Sequence, residues 1–89
     1  MSSSGNWVLQ VDPAVYKFLK KIPRNDAGKI LREIEELPED PFRGDIQKLG
    51  GSGNFWRRRV GSYRIKYELI AAQKIIHVFR AERRTSSTY

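Results

Sequence analysis

The chain has 89 residues, with 17 Lys and Arg against 10 Asp and Glu, a formal charge of +7 and no cysteine. This length leaves room for one domain and one modest core, and without thiols there is no disulfide staple, thiolate zinc site or cysteine nucleophile. The cationic excess favours a polyanionic partner.

Residues 1–5, Met-Ser-Ser-Ser-Gly, read as a disordered lead-in to a single domain spanning 6–89. They lack the basic and apolar regions of a secretory signal. No apolar run approaches membrane-spanning length, so a cytoplasmic protein with no membrane partner is expected. Trp7 to Val11 is a short apolar run with β-branched residues and reads as a first strand, ended by Asp12 and Pro13. Asp12 caps a helix from Pro13 to Ile22, in which Val15, Phe18, Leu19 and Ile22 recur at helical spacing until Pro23 stops it. Asn25 or Asp26 caps a second helix, with Ala27, Ile30, Leu31, Ile34 and Leu37 on one face and Pro38 and Pro41 beyond its end. Its outer face offers Lys29 to Glu33 and Arg32 to Glu36 at the spacing of helical ion pairs.

Beyond Pro41 the apolar pattern changes to period two. Turn signals at Gly50 to Asn54, Gly61-Ser62 and Ala71 to Gln73 divide it into strands near Ile46–Leu49, Phe55–Val60, Tyr63–Ile70 and Lys74–Arg80. Short connections make these a four-strand antiparallel meander. With the first strand and the helical hairpin the class is α+β, the helices lying on one face of the sheet. In the strand from Tyr63 the apolar set Tyr63, Ile65, Tyr67 and Leu69 faces the helices, and Arg64, Lys66 and Glu68 face away. The same alternation puts Arg57 and Arg59 on one face, where the hairpin brings them beside Arg64 on the helix-free side.

Charge is unevenly distributed. Glu33, Glu35, Glu36, Glu39 and Asp40 cluster mid-chain, while Arg57, Arg58, Arg59, Arg64, Arg80, Arg83 and Arg84 load the C-terminal half. Guanidinium groups on neighbouring strands repel unless solvent or a polyanion compensates them, and their planar forks match phosphate oxygens.

Lys48-Leu49, then the basic run Phe55 to Val60, then Gly61-Ser62-Tyr63-Arg64-Ile65-Lys66-Tyr67, resembles the signature of the RelE/ParE toxins of type II toxin–antitoxin systems. The ending from Arg80 to Tyr89 resembles that family's basic tail closing on a tyrosine, and the element order is also the family's. The resemblance spans about Trp7 to Tyr89. It implies a ribosome-dependent endoribonuclease that cleaves mRNA and inhibits translation, by attack of the ribose 2′-oxygen on its neighbouring phosphorus, without metal or other cofactor. It also implies an acidic antitoxin partner in a toxin–antitoxin hetero-oligomer. Carried over by position, the catalytic set is Arg57, Arg59, Arg64, Arg83 and Tyr89, with Lys48, Arg58, Lys66, Arg80 and Arg84 as surrounding RNA-binding charge. Many relatives carry lysine where this chain has Arg57 and Arg59. Arginine does not give up its proton, which leaves the general base open and makes Tyr89 the titratable candidate. The same fold serves a non-enzymatic, gyrase-inhibiting toxin or a degenerate protein that only binds its antitoxin; the complete basic set argues against the gyrase reading.

Three further features read as structural. His77 lies mid-strand with Ile75 and Phe79 on its face and reads as a partly buried strand residue. Trp56 and Phe55 invite a base-stacking reading, but core packing of one of them is the reading preferred. Gly50 to Gly53 is a strand connection rather than a phosphate loop, since no Gly-Lys-Ser/Thr follows.

Overall fold

The computed structural model of the chain describes residues 7–51 and 53–84. The expectations for residues 1–5, Asn6 and Tyr89 lie outside these. The elements are β1 (Val8–Val11), α1 (Pro13–Leu19), α2 (Arg24–Glu36), β2 (Ile46–Leu49), β3 (Phe55–Val60), β4 (Tyr63–Ile70), a 3-10 turn (Ala71–Gln73) and β5 (Ile75–Arg83). The five strands form one sheet in the order β1-β5-β4-β3-β2. β2 to β5 are the expected antiparallel meander, and β1 returns alongside β5 in parallel.

Local chemistry sets the boundaries. Asp12 caps α1 by accepting a hydrogen bond from the Ala14 amide at 2.8 Å, and Pro13 occupies the first turn. α1 ends at Leu19 rather than Ile22, because the Lys20 and Lys21 amides close onto Tyr16 and Phe18 in a final tight turn. α2 starts at Arg24 with Pro23 at its cap position, so Asn25 and the other expected cap, Asp26, sit inside the first turn. Its carboxylate accepts instead from the Tyr63 hydroxyl at 2.7 Å. β5 runs three residues further than the Arg80 expected, because Ala81 and Arg83 still pair with Ile65 and Tyr63.

The helices pack on one face of the sheet. Val15, Ile30, Ile34 and Leu37 are fully buried against Ile65, Tyr67, Ile76 and Val78, the inward set of β4 and β5. Tyr67 carries its hydroxyl into this core and donates to the Pro41 carbonyl at 2.6 Å, which ties the segment after α2 to the sheet. The expected pairs along α2 are replaced by longer-range ones. Glu33 binds Arg58 at 3.2 Å and Glu36 binds Arg43 at 3.0 Å, so the acids anchor β3 and the connection to β2 rather than their own helix. Among the described residues no helix is long and apolar enough to cross a membrane.

Candidate nucleic-acid interface

The face of the sheet opposite the helices is organised by register into rows. Arg59 pairs with Arg64 and Arg64 with Glu82; Arg57 pairs with Lys66 and Lys66 with Arg80; Phe55 pairs with Glu68 and Glu68 with His77. Successive rows are two residues apart, about 7 Å. The arginines of β3 thus meet the cations of β4 on the uncovered side.

The centre of this surface is a carboxylate. Glu82 Oε1 lies 2.7 Å from Arg80 Nε, while its Oε2 lies 3.3 Å from Lys66 Nζ and 3.6 Å from Arg64 Nε. Burial pushes the Glu82 carboxyl up, but hydrogen bonds and attraction from Arg80 and Lys66 outweigh it and hold the group below its ordinary value. At the margin Arg57 donates to Gln47 Oε1 at 2.6 Å and Arg59 lies 3.5 Å from Asp45. Arg57 Nη1 and Arg64 Nε donate to no acceptor among the described residues, the 3.6 Å approach to Glu82 being too long for a hydrogen bond. These cations thus each lie beside a resident acceptor, and because the two unpartnered nitrogens are themselves buried, an anion reaches them only by displacing a neighbour.

The remaining residues proposed from sequence lie elsewhere. Arg58 pairs with Ile65, an inward residue, and is 3% exposed and bound to Glu33. It belongs to the helix side and cannot share a ligand with Arg57 and Arg59; alternation along β3 decides this. Lys48, opposite Trp56, also lies on that side, exposed on the edge strand. Arg83 pairs with Tyr63 and faces the helices. Its guanidinium lies over the Tyr63 ring at 5.2 Å and donates to the Tyr63 hydroxyl at 3.2 Å. That hydroxyl donates on to Asp26, and this bond, with burial, raises the Tyr63 pKa despite the opposing Arg83 charge. Arg83, Tyr63 and Asp26 thus link the end of β5 to α2. Arg84 donates to the Gly61 carbonyl at 3.4 Å, at the hairpin tip. A cavity of about 280 Å³ beside this link is lined by Asp26, Lys29, Ile30, Val60 and Tyr63, with Gly61 and Ser62, and lies apart from the cationic rows.

Of Lys66 and Arg80, both named from sequence, the structure brings each to the open face. Glu82 was missed. An acid between Ala81 and Arg83 in a basic tail gives no local signal, and only the pairing of β4 with β5 shows that three cations converge on it. Phe55 and Trp56 divide as alternation requires. Trp56 packs inward against Phe42 with ring centroids 5.4 Å apart, and Phe55 lies on the open face.

Comparison with known proteins matches this arrangement to one group. The family model described as the ParE toxin of type II toxin–antitoxin system, parDE, matches residues 9–85. The chain is 30% identical over 79 residues to the RelE1 protein of Methanocaldococcus jannaschii, covering 85% of this chain and 88% of that one. Among solved structures, a chain of the RelB–RelE antitoxin–toxin complex from Methanococcus jannaschii is 29% identical, with a TM-score of 0.69 over 84% of this chain and 89% of that one. A chain of the archaeal RelE–RelB complex from Pyrococcus horikoshii shares the fold at 24% identity, with a TM-score of 0.78 over 91% and 98%. The isolated RelE toxin of E. coli shares it at 19% identity, with a TM-score of 0.74 over 91% and 87%.

Proposed function

The chain belongs to the RelE/ParE family of type II toxin–antitoxin toxins, and from that premise we propose that it is a ribosome-dependent endoribonuclease that cleaves mRNA and thereby inhibits translation in the cytoplasm. The observation that carries this reading is the row of cations on the open face, Arg57, Lys66 and Arg80, flanked by Arg59 and Arg64. In the proposed reaction the ribose 2′-oxygen attacks the adjacent phosphorus and the bond from phosphorus to the 5′-oxygen breaks, leaving a cyclic phosphate and a 5′-hydroxyl. No metal is required. Charge building on the phosphorane is met by Arg57, Arg59 and Arg64, which stay protonated throughout. Tyr89 is the group proposed for proton transfer, whereas Arg83, on the helix side with Tyr63, is not among the groups that meet this phosphate. With so few reacting groups on the protein, in-line geometry is supplied by the ribosome that holds the message.

The antitoxin–toxin complex of the similar RelE protein from Methanococcus jannaschii supports an antitoxin partner in a hetero-oligomer, and the cationic surface would suit an acidic one. A translation extract programmed with a defined message tests the activity. Wild type is expected to cut at A-site codons, and Arg64→Ala combined with Tyr89→Phe to lose cleavage by at least two orders of magnitude, within the range of general acid–base effects. Absence of cleavage by wild type, or undiminished cleavage by the double variant, removes the enzyme reading. The ParE description of the matching family model, and the neutralising contacts of Glu82, favour a gyrase-directed toxin as the second reading. Inhibition of gyrase supercoiling by the purified chain would establish it.

A further inference from the structure

A β-bulge in β5 gives the open face a feature that strand alternation alone does not. Tyr67 pairs with Val78 and Lys66 with Arg80, so Phe79 is the extra residue between them. Val78 is fully buried on the helix side, and Arg80 reaches the open face to bind Glu82. Alternation from His77 already puts Phe79 on that face, and the bulge sets Arg80 beside it there. Its ring meets Phe55 edge to face, with centroids 5.9 Å apart, and lies 6.3 Å from the His77 ring. Phe55 is 38% exposed, a large aromatic left uncovered on a central strand of the sheet. One row away, Arg57, Lys66 and Arg80 cross the same three strands. Glu68 lies between Phe55 and His77 in the aromatic row.

We propose that Phe55 and Phe79 form a platform for one unpaired base of a single-stranded RNA whose phosphate lies on Arg57, Lys66 and Arg80, and that Glu68 selects the base. This deepens the RNA-directed reading and rests on it. The occupant follows from the chemistry of the two rows. The face of the Phe55 ring, braced edge to face by Phe79 and next to a line of cations, matches a strand that presents bases and phosphates at adjacent positions. An acidic peptide would be met by the cations but repelled by Glu68 in the middle of the apolar row. A nucleobase turns that acid to use. A carboxylate only accepts hydrogen bonds, so it accepts from the exocyclic amino group of cytosine or adenine, whereas uracil offers a carbonyl at the same edge. The platform thus holds a base by stacking and favours cytosine over uracil through Glu68.

The test is binding of fluorescently labelled hexanucleotides, made with 2′-O-methyl riboses so that they are not cut, at low ionic strength. Wild type is expected to bind a cytosine oligomer more tightly than a uracil one, and to lose roughly 5- to 100-fold on Phe55→Ala, the range for one stacked base. Phe55→Leu keeps the apolar contact with Phe79 but lacks the ring. It is expected to melt like wild type and still bind weakly. An abasic position should cost wild type a similar factor and cost Phe55→Ala nothing more. Glu68→Gln, whose amide both donates and accepts, should erase the preference for cytosine. Salt-dependent binding that falls with Arg57→Ala but ignores Phe55, Phe79 and the abasic site overturns the platform and leaves the RNA reading standing. Failure of wild type to bind any of these oligomers overturns the platform, while cleavage in the translation extract decides the RNA reading separately. If Phe55→Leu weakens capture of the antitoxin and leaves RNA binding unchanged, the face belongs to a protein partner and the platform is again overturned.

Discussion

Arg57 and Arg58 are adjacent in sequence, identical in chemistry and opposite in placement, so replacing them separates the surface from the core. Arg58 is 3% exposed and its Nε lies 3.2 Å from Glu33 Oε1. At an effective dielectric of about 20 that separation corresponds to roughly 5 kcal/mol of gross attraction, most of which offsets the desolvation of the guanidinium. Removing Glu33 leaves the guanidinium buried and uncompensated, for which the usual cost is about 3–5 kcal/mol. Because the Glu33 side chain is 34% exposed and water reaches the pair from its side, Glu33→Ala is expected near the low end, about 3 kcal/mol. In a domain of this size that lowers the melting temperature by roughly 10–20 °C. Arg58→Met, which keeps the apolar stem, should cost less, since the carboxylate it strands is partly solvated. Arg57 faces outward, and Arg57→Ala should change stability by about 0.5 kcal/mol or less while weakening RNA binding and flattening its salt dependence by about one unit of slope. Thermal melts and salt-titrated RNA binding on the three variants give the answer. If Glu33→Ala melts with wild type, or if Arg57→Ala destabilises as strongly as Glu33→Ala, the division of labour along β3 is wrong.

The Glu82 carboxyl is held below its ordinary pKa, so its stabilising effect is fully present above the unfolded carboxylate value and is lost as pH falls through the lower folded value. Melts over an acid pH series should therefore show a shallower decline for Glu82→Gln than for wild type, and the same variant should bind RNA more tightly with a steeper salt slope. Burial pushes Tyr67 up to about 12 against the pull of Arg58. Since this value is raised, the associated stability is present below the ordinary tyrosine pKa near 10 and is lost as pH rises through about 12. An absorbance titration should show one tyrosine ionising only with unfolding, and this late step should vanish in Tyr67→Phe. Gly44 has φ +91°, and a Cβ there would lie 2.9 Å from Arg58 Nε. Gly44→Ala should thus destabilise by more than about 1 kcal/mol in a chemical denaturation series, through backbone strain and displacement of the buried ion pair.

Much of this architecture was legible because it rests on periodicity. The alternation of β4 and the capping chemistry of Asp12 are local signals, and β2, β3 and β4 lie at their expected positions. Alternation also separates Arg58 from Arg57 and Arg59, yet grouping all the basic residues by charge put Arg58 among the RNA contacts; the structure buries it. Two features were beyond reach for a physical reason. The bulge that brings Arg80 to the same face as Phe79 is a mismatch of register between β4 and β5, carried by no residue of its own. The role of Glu82 likewise depends on which residues face it across the strands. Arg83 is a related case, because continuation of β5 past Arg80 fixes its face and sends it toward Tyr63.

Arginines massed on neighbouring strands need either solvent or a polyanion to offset their repulsion. The fold supplies a third solution. Glu82 gathers Arg64, Lys66 and Arg80 around one carboxylate, while Gln47 and Asp45 hold Arg57 and Arg59 at the margin. The cationic surface is thereby ordered before any ligand arrives, and its side chains lose less freedom on binding. The same contacts mean that a phosphate must compete with a resident carboxylate, so part of the attraction is already spent on the free protein. A single phosphate gains little from that exchange. A strand held at several points, with a base on the Phe55 and Phe79 platform and its backbone fixed by the ribosome, gains at each contact without a separate entropic cost. In the proposed reading, dependence on a positioned message is thus partly a property of the toxin's own electrostatics. Glu82→Gln should then narrow the gap between cleavage of free RNA and cleavage of ribosome-bound message.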